Sequence, residues 1–86
     1  MLESEVRSKL NGQRIDCAEM GTDYFKFRPK YLHPNTSATY RIYSGNNNSY
    51  VDMYLYKGLQ YEAEGINKIT TTGDAAITAG DLTLVF

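Results

Sequence analysis

A mainly β fold is predicted: a short N-terminal helix followed by about six or seven short antiparallel strands, arranged as a small sandwich or barrel. Three features lead there. Short segments alternate apolar and polar side chains, the period of a strand with one face covered. Glycine, asparagine and proline separate those segments, as turns require. The segments also recur at about 8–12-residue intervals, the spacing of small all-β architectures.

The first element differs from the rest. Leu2, Val6 and Leu10 recur every fourth residue and share one face of a helix. Glu3 and Glu5 near its start and Arg7 and Lys9 near its end suit the helix dipole, and Asn11-Gly12 is a stop signal. A helix this short needs a surface to dock on, its own sheet or a neighbouring subunit.

Beyond Gly12 the chain reads as β. Arg14 to Ala18 gives a weak first strand. Asp23 to Arg28 alternates, with Phe25 and Phe27 on one side and Tyr24, Lys26 and Arg28 on the other. Pro29 and Pro34 bracket a loop, PKYLHPNTS, because proline is incompatible with a central strand. Ala38 to Ser44 and Ser49 to Tyr56 form a β-hairpin across the turn run Gly45-Asn46-Asn47-Asn48. Leu59–Ala63 and Ile66–Thr71 follow as strands, split by Glu64-Gly65. Gly73-Asp74 and Gly80-Asp81 then open two turn-then-strand units, AAIT and LTLV. The final alternation of Leu82, Leu84 and Phe86 with Thr83 and Val85 predicts a paired strand, within the subunit or between subunits. The expected core comprises Phe25, Phe27, Val51, Met53, Leu55, Leu82 and Leu84.

The 86 residues make one domain, 1–86, with a helical arm at 1–11 and a β-rich body from 14 onward. Such a chain buries only about 60–65% of its unfolded surface, so its core is thin. Small domains compensate with disulfides, metals or association. A single cysteine, Cys17, excludes an internal disulfide, and one Cys with one His33 excludes a zinc cage of those ligands. Association remains. The N-terminus lacks the apolar stretch of a signal peptide, and no segment approaches the roughly 18 apolar residues of a membrane span. A cytoplasmic or virion location and no membrane partner are therefore expected.

A formal net charge of −1 gives the chain no strong pull on nucleic acid. The charge is uneven, however. Lys26, Arg28, Lys30 and Arg41 occur between Tyr24 and Tyr43 without an acid, whereas five acids face two lysines after Ser44. The interleaved YFKFRPKY and TYRIY suit a single-strand groove, with cations for phosphate and rings for bases. A nucleic-acid motif and a strong basic footprint are both missing, so this partner is not expected. The alternative is that these cations pair with acids of a neighbouring strand or subunit.

All eight tyrosines fall between Tyr24 and Tyr61. Tyrosine combines an apolar ring with a polar tip and suits surfaces that receive a partner. On Ser49–Tyr56, Tyr50, Asp52, Tyr54 and Tyr56 share one face, and Val51, Met53 and Leu55 the other. Chemistry-bearing groups are sparse by contrast. His33 has no acid near it in sequence, Cys17 reads as a small core residue, and Asp16, Glu19 and Asp23 lack the calcium-loop pattern. The glycines form no phosphate loop. No catalytic residue, metal ligand or cofactor is expected.

The reading is thus a non-enzymatic assembly protein whose partners are other protein chains, as a homo-oligomer or on a larger particle. Its expected interface is Tyr50, Tyr54, Tyr56, Tyr43 and Arg41, with Leu2, Val6 and Leu10 of the helix. In size and composition the chain looks like the small auxiliary proteins of phage particles, such as capsid decoration or head and tail connector components; no motif carries that likeness. The alternatives are a module binding carbohydrate or single-stranded nucleic acid, and a small phage-type inhibitor of a host protein.

Overall fold

The computed structural model describes residues 12–45 and 49–86. Within them seven strands form two antiparallel sheets that do not close into a barrel. The strands are β1 (Arg14–Asp16), β2 (Tyr31–Pro34), β3 (Ala38–Ser44), β4 (Tyr50–Leu55), β5 (Tyr61–Glu62), β6 (Ile66–Thr71) and β7 (Leu82–Val85). One sheet has the order β1-β7-β2-β5 and the other β4-β3-β6. The helix expected over Leu2–Leu10 lies outside the described residues; within them the helical element is one 3-10 turn, Cys17–Met20.

The first sheet is built from the chain's two ends. The expected terminal strand is present as β7, and it pairs on both sides, with Leu84 opposite Ile15 of β1 and Leu32 of β2. Leu82, Leu84 and Phe86 are buried while Thr83 and Val85 are partly exposed, the alternation that the sequence predicts. Asp16 fixes the exit from β1. One carboxylate oxygen accepts from Ala18 N–H at 3.0 Å and caps the 3-10 turn; the other accepts from Gly80 N–H at 2.8 Å, just before β7.

Several expected elements are corrected. The segment 29–37 is not simply a loop: Tyr31–Pro34 is an interior strand between β7 and β5. Pro34 is tolerated because it closes the strand, beyond the two residues that pair with β5. Its carbonyl accepts from Gly58 N–H at 3.0 Å. His33 accordingly sits in a sheet opposite Thr83, partly buried, and not in a loop. Asp23–Arg28 is not a strand, yet Phe25 is buried and Phe27 packs on the core, so its alternation reports burial without a ladder. The segment AAIT is irregular and contributes only Ile77 to the core. The strand expected over Leu59–Ala63 shrinks to Tyr61–Glu62.

The second sheet contains the expected hairpin. Six consecutive pairs join β3 and β4, from Ala38 with Leu55 to Tyr43 with Tyr50, without a bulge. Tyr40, Ile42, Leu55 and Ile69 point inward and join Leu32, Leu82, Leu84 and Cys17 in one core. Two expected core residues do not belong to it. Val51 is 61% exposed and Met53 44%. Both lie on the inward side of β4, opposite Ile42 and Tyr40, but β4 is the sheet's edge and only Leu55 at its end is covered. A period of two assigns a side; it does not supply a covering layer.

Candidate interaction face

The register of β3, β4 and β6 assembles an outer face from Thr39, Arg41 and Tyr43, from Tyr50, Asp52 and Tyr54, and from Lys68 and Thr70. Directly paired residues share a side, so this grouping follows from the ladder alone. Four expected interface residues, Arg41, Tyr43, Tyr50 and Tyr54, are therefore brought together. Tyr56 lies one residue past β4, its ring 5.0 Å from that of Tyr54 and edge-on to it. Leu2, Val6 and Leu10 lie outside the described residues.

Rings and cations alternate across the face. The Lys68 ammonium sits 4.8 Å from the Tyr24 ring centre and 4.3 Å from that of Tyr43. Tyr43 and Tyr50 are 5.5 Å apart, and the Arg41 guanidinium lies 4.0 Å over Tyr50. A cation over a ring face is attracted by the negative face of its quadrupole. Arg41 is fully engaged: its Nε and Nη2 donate to the two Asp52 oxygens at 3.0 and 3.4 Å, and its Nη1 to Asp74 at 3.1 Å. These bonds, that to Asp52 foremost, push its pKa up from an already high value. The alternative reading of the basic residues, pairing with acids of neighbouring strands, holds for Arg41.

Asp74, like Lys68, joins the face without a signal in the sequence. It stands at the turn after β6 with φ 61°, the only described non-glycine residue at positive φ. Aspartate tolerates this region better than most residues. Thr71 holds the turn, its hydroxyl accepting from Gly73 N–H at 3.3 Å and Ala75 N–H at 3.1 Å. The Asp74 carboxylate accepts from the Tyr43 hydroxyl at 2.7 Å as well as from Arg41. Those two partners, Tyr43 first, hold its pKa below the ordinary value, and the same bond raises that of Tyr43. The Gly73-Asp74 pair is legible as a turn, but nothing in sequence links it to Arg41 or Tyr43.

The tyrosines differ in burial, with Tyr61 partly buried against the core. Tyr40 and Tyr43 are buried; Tyr40 donates to the Thr36 carbonyl at 3.1 Å from the core side. Tyr24, Tyr31, Tyr50, Tyr54 and Tyr56 are exposed, as are Val51, Met53 and Leu59. Cys17 is buried, and burial together with Asp16 pushes its thiol up to about 12, leaving it protonated at neutral pH. Among the described residues, no group of three or more His, Cys, Asp or Glu is placed to hold a metal ion.

Two clefts among the described residues lie elsewhere. One, of about 430 Å³, is bordered by Arg28, Lys30, Tyr31, Glu62 and Glu64. The other, of about 440 Å³, lies between Ile15, Met20, Tyr24, Phe27 and Phe86. Neither is lined by Tyr50, Tyr54 or Tyr56. No described helix is long and apolar enough to cross a membrane. Compared with protein-family models, curated proteins and solved structures, the chain matches none.

Proposed function

We propose that this chain is a non-enzymatic assembly protein that associates with other protein chains, its own copies or a larger particle, through the aromatic face around β4. One observation carries the reading: Tyr50, Tyr54 and Tyr56 are about half exposed on a framework whose cations are already engaged by rings and carboxylates. Exposed aromatic residues are enriched at interface centres, and a preorganised face loses little entropy on docking. Arg41, held by two carboxylates, is not available to neutralise phosphate, which weighs against a nucleic-acid strand on this face. The chain's size and composition fit a small component of a larger particle of the phage type, with a cytoplasmic or virion location.

The test is Tyr54→Ala. Its ring lies on the outer face, 52% exposed, so the isolated subunit keeps its melting behaviour. Association weakens by about 2 kcal/mol, as for a central anchor, read by sedimentation over a concentration range or by retention on the parent particle. Intact association with loss of oligosaccharide or oligonucleotide binding would transfer the face to the alternative reading.

A further inference from the structure

We infer that β4 pairs edge to edge, antiparallel, with β4 of a second copy of this chain, joining two three-stranded sheets into one of six strands. This deepens the assembly reading and rests on it. The starting point is the free edge. β4 pairs with β3 on one side, and no described strand pairs on the other. The remaining edges are short or occupied: β1 has three residues, β5 has two, and β6 receives the Phe25 N–H on its Asn67 carbonyl at 2.8 Å.

Edge strands are ordinarily protected by lysine, proline, bulges or brevity. β4 has none of these. It runs six residues, YVDMYL, in unbroken register with β3, and its single charge, Asp52, is bound to Arg41. Its side chains are exposed and mostly apolar on both sides, Val51 and Met53 on one and Tyr50 and Tyr54 on the other.

The ladder identifies the edge groups. Ser44 N–H donates to the Ser49 carbonyl at 3.3 Å, so Ser44 and Ser49 form a hydrogen-bonded pair. Such pairs alternate along an antiparallel ladder, which assigns Val51, Met53 and Leu55 to β3. The N–H and C=O groups of Tyr50, Asp52 and Tyr54 then face the free edge. Charge chooses the register. Opposing Asp52 to Asp52 would place like charges directly across the pair, which is unfavourable. Opposing Asp52 to Tyr54 of the second copy avoids this and spans more of the strand than pairing Tyr54 with Tyr54. It sets Val51 against Leu55 and Met53 against Met53 on the two-fold axis, and the ladder ends there, because the Tyr56 N–H donates to the Tyr61 hydroxyl and the Tyr56 carbonyl accepts from Leu59 N–H. Aliphatic residues then meet aliphatic on the inward side, while Tyr54 lies across from Asp52 on the outer side.

The area sets an upper bound. Half-exposed tyrosines of about 200 Å² each, with Val51 and Met53, offer about 500 Å² per chain. Complete cover of both copies would bury about 1,000 Å², the lower range of a biological interface, and edge pairing, which leaves both sheet faces in water, covers part of it, so the backbone ladder carries the rest of the association.

Cysteine scanning tests this. Met53 on the axis forms a non-hydrogen-bonded pair with Cα atoms about 4.5 Å apart, within disulfide range. Met53→Cys therefore oxidises to a covalent dimer in high yield, whereas Val51→Cys, displaced from its own copy by about 14 Å along the strand, does not. Cys17, buried and protonated, stays silent. Val51→Lys, an edge-blocking charge, raises the dimer dissociation constant at least tenfold in sedimentation equilibrium while the monomer stays folded. A chain monomeric at millimolar concentration overturns the inference and leaves the assembly reading to a different protein partner. Association that Tyr54→Ala weakens but Met53→Cys does not cross-link overturns edge pairing alone.

Discussion

Strands β4 and β7 look alike in sequence and differ in every energetic respect. VDMYL and LTLVF both set apolar residues at alternate positions. In β7 the apolar set is buried, because a strand pairs on each side and the second sheet lies across it. In β4 the corresponding set is exposed except for Leu55, because β4 is the last strand of its sheet. Alternation states which side chains travel together. Position in the sheet states whether they meet protein or water. One strand therefore stabilises the fold, and the other leaves most of its apolar set in water.

The contrast is sharpest under truncation. Leu84→Ala removes a fully buried side chain between Ile15 and Leu32 and costs about 3 kcal/mol in denaturant unfolding. Met53→Ala, at a matching position on β4, costs less than about 0.5 kcal/mol in the isolated subunit. Equal costs would mean that β4 is covered after all. For a domain this small, the first loss approaches the lower range of total stability.

A smaller effect separates the fastenings of the first sheet from its packing. Asp16→Ala leaves the Ala18 and Gly80 N–H groups without their carboxylate and costs about 1–2 kcal/mol. Asp16→Asn, which keeps one acceptor oxygen, costs less. If both variants match the wild type, packing alone holds β1 and the turn before β7.

The outer face beside β4 responds chiefly to pH. Asp74 has its pKa depressed below 3.8 by Tyr43 and Arg41, so its contribution is complete above that pH and fades as pH falls through the lower folded value. Acid titration followed by Tyr43 and Thr71 resonances should show local loosening of this turn below about pH 3.8. Asp74→Asn should abolish that transition and leave the Leu84 environment unchanged. A simultaneous change at both places would show that the two regions melt as one.

Much of the fold was legible, for identifiable reasons. The hairpin Ala38–Tyr56 was marked by two alternating segments and a Gly-Asn turn run, and the terminal strand by Leu82, Leu84 and Phe86. The strand β2 was not legible, because Pro34 argues against a central strand until its place at the strand's end is known. Phe25 and Phe27 announced burial correctly but not its form, since an irregular segment can alternate as well as a strand. On the candidate face, local period set Arg41 with Tyr43 and Tyr50 with Tyr54, and the observed register joined the two pairs. Lys68 and Asp74 were not legible, because they arrive from the far side of β3 through non-local pairing.

By itself the sequence determined a mainly β chain with a thin core, one free cysteine, no internal disulfide and a tyrosine-rich middle. These follow from composition, local period and turn chemistry, which act within a few residues. Only the tertiary structure decided which alternating strand lies inside, which edge stays open, and which acids bind Arg41. Those outcomes depend on strand order, and strand order is set by contacts between residues far apart in the chain, such as Ile15 with Leu84 or Arg41 with Asp74.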